Sequence, residues 1–257
     1  MQELASTWPI GSPAMRVLVM LPTYNEIENI QDVLERTRAA LPEADILVID
    51  DGSPDGTADQ AEKLGELLGG VDVLRRSRKS GLGSAYRAGF RIGLARGYDV
   101  MIEMDADLSH DPAVLPDLVA AVERGADLAI GSRYVPGGSI PDWKWLRRMI
   151  SRGGGLYART MLGLSVHDAT AGFRAYHRDN LSRIDLDHVR ADGYGFQVEM
   201  TYLTERNHGR IVEVPITFRD RSLGRSKMSS RIVVEAFLLV TWWALRDRAR
   251  KVLRARN

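Results

Sequence analysis

Asp105 and Asp107 have the types and spacing to do chemistry. They follow an apolar stretch that begins at Tyr98, and stand two apart in Asp105-Ala106-Asp107-Leu108-Ser109-His110. Residues i and i+2 of an extended chain project the same way, so both carboxylates can reach one point past a strand end. Hard divalent cations such as Mg²⁺ or Mn²⁺ take carboxylate oxygens and share them with substrate phosphates. A metal–diphosphate site is one chemistry this spacing suggests. The same residues also suit an Asp-rich turn from strand to helix, with Asp111 or Ser109 as the helix cap. The pair alone does not separate the two readings.

The elements around the pair bear on that choice. Apolar runs at Val17–Leu21, Ile46–Ile49, Val71–Leu74, Asp99–Met104 and Asp127–Ile130 read as strands. Helical spacing fills Glu26–Leu41, Thr57–Leu68, Ser84–Ala95 and Pro112–Glu123 between them. Strands alternating with helices imply an α/β fold with a mostly parallel sheet covered on both faces. Ligands of such sheets bind beyond the strands' C-terminal ends. Asp50-Asp51 and Asp105/Asp107 both fall on that edge, which favours a shared site. After Gly131 the pattern changes. Trp143–Leu164 reads as a basic, Trp-bearing helix weakened by Gly153-Gly154-Gly155, suited equally to a membrane interface or to the sheet's surface. Phe196–Asn207 reads as a helix, Ile211–Phe218 as a strand, and Ser229 onward as a long helix with a basic end.

Other segments offer further chemistry on the same edge. Pro22-Thr23-Tyr24-Asn25-Glu26 supplies an aromatic and an acid for a nucleobase and ribose, while Asn25 also suits a helix cap. Gly81-Leu82-Gly83 invites a dinucleotide reading but fails it, because Tyr86 stands where the third glycine belongs. The basic residues before it (Arg76, Arg78 and Lys79) suit a diphosphate-facing loop or a plain flexible one. Arg133, just past the fifth strand, puts a cation on the ligand edge. Arg221, Arg225 and Lys227 in a Gly/Ser-containing loop suit phosphate capture or a solvated basic loop. The five histidines are scattered without metal-ligand spacing and read as structural.

Composition limits the function classes. The chain has 257 residues, 44% apolar and 27% charged, which supports a sizeable core. A net charge of +1 gives no global signal for nucleic acid. Charge is local: Arg246–Arg256 carries six basic residues against one Asp. With no cysteine, disulfides, thiolate zinc sites and a Cys nucleophile are excluded, and a cytoplasmic setting is expected. No apolar run is long enough for a membrane span; Ile232–Leu245 comes nearest and suits a buried or membrane-surface helix.

Several blocks occur in order: Leu21-Pro22-Thr23-Tyr24-Asn25-Glu26, Ile49-Asp50-Asp51-Gly52-Ser53-Pro54-Asp55-Gly56-Thr57, Gly81-Leu82-Gly83, Asp105–His110, Gly131-Ser132-Arg133-Tyr134, Gly195-Phe196-Gln197-Val198-Glu199 and Gly224-Arg225-Ser226-Lys227. Together they closely resemble the dolichol-phosphate mannose synthases, family 2 glycosyltransferases of GT-A fold. The likeness runs from Arg16 to Glu235, and Ile150-Ser151-Arg152-Gly153 with the Arg221–Lys227 loop points to the polyprenyl-phosphate mannosyl branch.

The resemblance implies GDP-mannose as donor, a polyprenyl or dolichyl monophosphate as acceptor, and inversion to a β-linked mannosyl phosphate lipid. Carried over by position, Pro22, Tyr24, Glu26, Ile49 and Asp51 bind the nucleoside. Asp105, Ala106 and Asp107 hold donor and metal (Mg²⁺ or Mn²⁺). Ser109 stands where relatives often have Gln; its shorter side chain favours ligation through a water. Arg133, Arg221 and Lys227 contact phosphate, and Arg147 and Arg225 join Arg133 at the acceptor. The implied domains are an N-terminal arm over 1–15, a catalytic GT-A domain over 16–228 with interface helices within 140–165, and a basic amphipathic helix over 229–257. With a lipid acceptor and no span, peripheral attachment to the cytoplasmic membrane face is expected, or a separate membrane anchor protein. UDP-glucose in place of GDP-mannose, and a non-catalytic membrane-associated scaffold, are the rival readings.

Overall fold

Residues 15–220 and 237–246 are described by a computed structural model. The five expected strands form as β1 (Val17–Thr23), β2 (Asp45–Asp50), β3 (Val71–Arg75), β4 (Val100–Glu103) and β5 (Leu128–Ser132). Their side chains alternate between two cores. Leu18, Met20, Leu47 and Ile49 enter one; Val17, Val19, Leu21, Ile46 and Val48 enter the other. This is the period-2 pattern of strands buried on both faces.

Helices α1 (Ile30–Ala40), α2 (Thr57–Leu68) and α4 (Leu115–Glu123) cover the second core. Helix α3 (Leu82–Ala95) and a later helix, α7 (Gly193–Arg206), cover the first. Gly89 and Gly93 let α3 lie close to the sheet: a Cβ at Gly89 would stand 2.5 Å from Met20 Sδ, and one at Gly93 2.6 Å from Met101 Sδ.

The later chain departs from the sequence reading. Strands β6 (Arg174–His177) and β7 (Ile211–Pro215) complete a seven-stranded sheet of order β3-β2-β1-β4-β6-β5-β7. β6 runs antiparallel between β4 and β5. No strand was expected there, because four residues that include an arginine and a histidine carry no apolar run. Inserting β6 reverses one chain direction, so its N-terminal end lies at the edge where the parallel strands finish.

Boundaries shift for local reasons. The expected helix from Glu26 starts at Ile30, and Asn25 is not its cap. Asn25 adopts φ 57° and its amide donates to Ser53 Oγ, so the segment is a turn. Helix α5 (Trp145–Leu162) passes through Gly153–Gly155 without a break. The expected strand to Phe218 ends at Pro215. Helix α6 (Arg178–Ser182) is a short turn after β6. Residues 1–14, and with them the expected arm, lie outside the described residues. Of the expected C-terminal helix, residues 237–246 are described and helical.

Arg174 is fully buried. It donates to the carbonyls of Ala169 (2.7 Å), Ala171 (2.6 Å) and Gln197 (2.9 Å) and to Thr201 Oγ1 (2.9 Å). Glu103 of β4 is equally buried. Burial pushes its carboxyl up to about 8, although Arg174 and a hydrogen bond from Gln197 act in the other direction. A carboxyl raised in the folded state contributes stability below its unfolded pKa, and that contribution is lost as pH rises through about 8. Wild-type unfolding free energy should therefore fall, by on the order of a few kcal/mol, between the ordinary carboxylate range and alkaline pH. Glu103→Gln should flatten this slope in denaturant titrations run across that range.

Candidate active site

A cleft of about 520 Å³ opens at the C-terminal ends of β1, β2, β4 and β5. The loop before β6 and the first turn of α7 complete its wall. Pro22, Tyr24, Glu26 and Asp51 line one side, as the sequence placed them. Lys79 Nζ lies 4.5 Å from the centre of the Tyr24 ring.

Adjacent acids divide their work. Asp50 accepts from Thr23 Oγ1, the Gly52 and Ser53 amides and Ser53 Oγ, so it holds the turn after β2. Asp51 faces the cleft, accepts from the Ser80 amide at 3.1 Å and lies 2.8 Å from Arg76 Nη1. Arg76 thus serves an acid on the wall. Ile49 stands apart from them: its side chain is fully buried against α3 and is not on the cleft wall, because strand alternation turns it into the core.

The acidic pair is carried by a turn. β4 stops at Glu103, and Asp105–Ser109 bends, with Leu108 at φ 60°. A positive φ at a non-glycine residue is a cost retained mostly at functional turns. Extended-strand alternation therefore does not place the pair, yet Asp105, Ala106, Asp107 and Ser109 all line the cleft. Asp105 keeps 31% of its side chain exposed. Asp107 is buried and accepts from the Ser109 amide at 3.0 Å. The turn reading holds in part, since Asp111 caps the 3₁₀ turn that follows by accepting from the Ala113 amide. His110, read as structural, also lines the cleft. It stacks on Phe173 and accepts from the Asp105 amide at 3.3 Å through Nδ1.

The cations come already paired. Arg133 donates to both oxygens of Asp168 at 2.7 Å and to Thr170 Oγ1 at 3.0 Å. Burial favours its neutral form, but Asp168 outweighs this and holds the guanidinium charged, while Arg133 holds Asp168 ionised against the same burial. Arg147, at the start of α5, donates to both oxygens of Asp220 at 2.9 Å and lies 4.0 Å over Trp143. Arg221, Arg225 and Lys227 lie outside the described residues.

Sequence reasoning missed Asp168, which holds Arg133 from behind, and Thr170, Gly172, Asp192 and Tyr194 on the wall itself. It quoted Gln197 within a block and gave it no role. The first three arrive through the unexpected β6. Asp192 accepts from the amides of Gly83 and Gly193, joining the starts of α3 and α7. Its distance along the chain from Gly83 hid that role.

Among the described residues, no group of three His, Asp or Glu side chains is arranged to hold a metal alone. Asp105 and Asp107 nevertheless fit a hard divalent cation, being two oxygen donors on one turn. Such cations commonly take one or two carboxylates and complete their shell with phosphate and water.

Beside the cleft, α5 leaves Trp145, Leu146, Met149, Ile150 and Leu156 exposed. Tyr157 of α5 stacks on Phe237 at 4.1 Å and its hydroxyl pairs with Thr241 Oγ1 at 2.7 Å. The helical residues 237–246 add Phe237, Leu238, Trp242 and Leu245 to the exposed set. No helix among the described residues is long and apolar enough to cross a membrane.

Residues 18–185 match the profile described as "Glycosyl transferase family 2". An undecaprenyl-phosphate mannosyltransferase of Micrococcus luteus is 58% identical over 91% of this chain and 96% of its own. A polyprenol monophosphomannose synthase of Mycolicibacterium smegmatis is 50% identical over 94% of this chain and 93% of its own. In fold, the chain is similar to the glucosyl-3-phosphoglycerate synthase of Mycobacterium tuberculosis solved with Mn²⁺, UDP-glucose and phosphoglyceric acid. That likeness has a TM-score of 0.66 and 22% identity over 89% of this chain and 80% of that one. By the profile match and by shared sequence over most of its length, this chain belongs to glycosyl transferase family 2 and is a glycosyltransferase of GT-A fold.

Proposed function

We propose that the chain moves mannose from GDP-mannose to a polyprenyl monophosphate, with inversion, giving a β-mannosyl phosphate lipid. The observation that carries this reading is one cleft lined by an acidic turn at Asp105/Asp107 and by Arg133 and Arg147, beside an exposed apolar face on α5. The names of the mannosyltransferase relatives support mannose and a polyprenyl phosphate.

The physical problem is to bring two anions together while a nucleoside diphosphate leaves. The nucleophile is a phosphate oxygen, largely ionised near neutral pH, so no general base is needed. Accordingly, the reading assigns His110 a packing role beside Asp105 and no proton transfer. Pro22, Tyr24, Glu26 and Asp51 hold the nucleoside. Asp105 and Asp107 would hold Mg²⁺ or Mn²⁺, with Ser109 beside them. When bound, the cation supplies charge that offsets the departing diphosphate. Arg133 presents a guanidinium whose orientation Asp168 fixes, and Arg147 adds charge at the cleft mouth; both align the acceptor phosphate. Arg221, Arg225 and Lys227 are assigned to donor or acceptor phosphate by resemblance alone.

The lipid tail of the acceptor needs an apolar path. Helix α5 bears Arg147 at the cleft and, one turn on, Met149 and Ile150 exposed among Arg148 and Arg152. Apolar and cationic residues on one helix suit an anionic membrane surface. Peripheral attachment on the cytoplasmic face follows from this reading, with a separate anchor protein as the alternative.

Turnover with polyprenyl monophosphate should be supported by GDP-mannose and not by UDP-glucose, and chelation should abolish it. Efficient use of UDP-glucose alone would overturn the donor assignment. Asp107→Ala should lower mannosyl transfer by roughly 10²-fold or more while keeping a cooperative thermal transition. A folded variant with near-normal turnover would overturn the role of the acidic turn. The protein should float with anionic liposomes at low salt, and Trp145→Ala combined with Ile150→Ala should weaken that flotation. Flotation indifferent to both substitutions would argue for a protein anchor.

A further inference from the structure

Two anions must meet in this cleft, and a carboxylate on its wall repels both. Asp220 nevertheless lines it, beside Trp143 and Arg147. Its Oδ1 accepts from Trp143 Nε1 at 2.8 Å and from Arg147 Nη1 at 2.9 Å, and its Oδ2 from the same Nη1 at 2.9 Å. The carboxylate fills a seat made of an indole N–H and a guanidinium, which is a seat for an oxyanion.

The seat outlasts its occupant. Trp143 is 7% exposed, its ring packs edge-on against Phe218 at 5.7 Å, and Arg147 Cζ lies 4.0 Å over it. The indole N–H therefore keeps its direction when the Asp220 side chain leaves, and a buried donor without an acceptor is costly. Whatever replaces Asp220 must accept there, and beside Arg147 it must be anionic. Arg133 Cζ is 5.7 Å from the centre of the same ring, so the seat adjoins the arginine that Asp168 holds. The donor diphosphate is already accounted for at the acidic turn. The anion that enters beside α5, where Trp145 and Leu146 are exposed to meet a lipid tail, is the acceptor phosphate.

Asp220 is held loosely enough to leave. Both its bonds to Arg147 come from one nitrogen, whereas Asp168 takes Arg133 through Nε and Nη2 in the parallel fork of strong pairs. The Arg147 and Asp220 side chains are 43% and 42% exposed, against 5% and 0% for Arg133 and Asp168. An exposed pair shifts an equilibrium by roughly two- to fivefold. The Asp220 amide donates to Asp142 Oδ2 at 3.2 Å, so the backbone can stay while the side chain turns away. A phosphate monoester offers the same donors more oxygens and more charge than a carboxylate does.

We propose that Trp143 Nε1 binds the acceptor phosphate together with Arg147, in a seat that the Asp220 carboxylate occupies until that phosphate displaces it. This rests on the polyprenyl phosphate reading above.

The test uses the full chain, GDP-mannose and a polyprenyl monophosphate. Asp220→Asn keeps the shape and removes the charge. It should lower KM for the polyprenyl monophosphate roughly two- to fivefold without changing the calorimetric affinity for GDP. A carboxylate that positions Arg147 would give the opposite sign, so an unchanged or raised KM overturns the displacement. Trp143→Phe keeps a ring against Phe218 and removes the N–H. It should raise the same KM about tenfold, in the wild type and in Asp220→Asn alike. If the indole served Asp220 alone, its loss would release Arg147 and lower KM; that result, or no change, overturns the role of Trp143. A measurement that does not depend on the folding of Trp143→Phe uses the indole N–H signals of the five tryptophans in NMR. The signal that moves on Asp220→Asn should also move when farnesyl monophosphate is added to the wild type, and its standing still would overturn the seat. Wild-type protein that turns over no polyprenyl monophosphate with either sugar nucleotide would sink the acceptor reading and this seat with it. Wild-type turnover with an unmoved KM in Asp220→Asn would sink the displacement alone.

Discussion

Arg174 enters the middle of the sheet with no access to solvent, and a buried guanidinium must be surrounded by acceptors or it destabilises the fold. The chain supplies them from two places. The carbonyls of Ala169 and Ala171 come from the loop before β6, and the Gln197 carbonyl and Thr201 hydroxyl from α7. Satisfying one charge therefore fixes a loop and a helix against β4 and β5. Both the loop and the helix carry cleft residues: Thr170 and Gly172 on one, Tyr194 and Gln197 on the other. The electrostatic requirement of a single side chain becomes the geometry of half the site.

The same logic repeats outward from the sheet. Glu213 of β7 accepts from the amides of His167 and Asp168 at 2.9 Å, which presents the Asp168 carboxylate to Arg133. Asp168 then grips Arg133 through two parallel bonds and a third from the backbone amide. A guanidinium held this way loses little freedom when an anion arrives, which is what electrostatic preorganisation requires. Arg147 is held less deeply: its partner Asp220 is about as exposed as the arginine itself. A phosphate entering the cleft can compete with that carboxylate more readily than with Asp168.

The cleft and the exposed apolar face share α5. Arg147 and Trp143 belong to the cleft wall, while Trp145, at 70% exposure, and Ile150, at 63%, point to solvent. The helical residues 237–246 are tied to α5 through Tyr157 and to the buried side of α7 through Tyr202. A polyprenyl phosphate has its charge and its tail on one molecule, so a protein that uses it needs a cation site and an apolar surface in contact. Both are met here within one helix.

The sequence by itself determined β1 to β5 and β7, the helices between them and the edge where ligands bind. Period-2 and helical spacings are local properties, and no distant residue is needed to read them. It also singled out Asp51, Asp105, Asp107 and Arg133, because acids and cations just past apolar strand signals fall on that edge. Tyr24 and Glu26 joined them as an aromatic and an acid just past the first strand, and resemblance added Arg147. Tertiary structure alone decided the rest. β6 has four residues and no apolar run, so nothing local reveals that it pairs antiparallel with β4 and β5 and swings its preceding loop to the ligand edge. Resemblance carried Ile49 to the nucleoside, but strand alternation sends its side chain to the core. Asp168 with Arg133, Asp192 with Gly83 and Gln197 with Glu103 are separated by 35, 109 and 94 residues. Partnerships that long are made by folding, and a single sequence holds no spacing rule from which to read them.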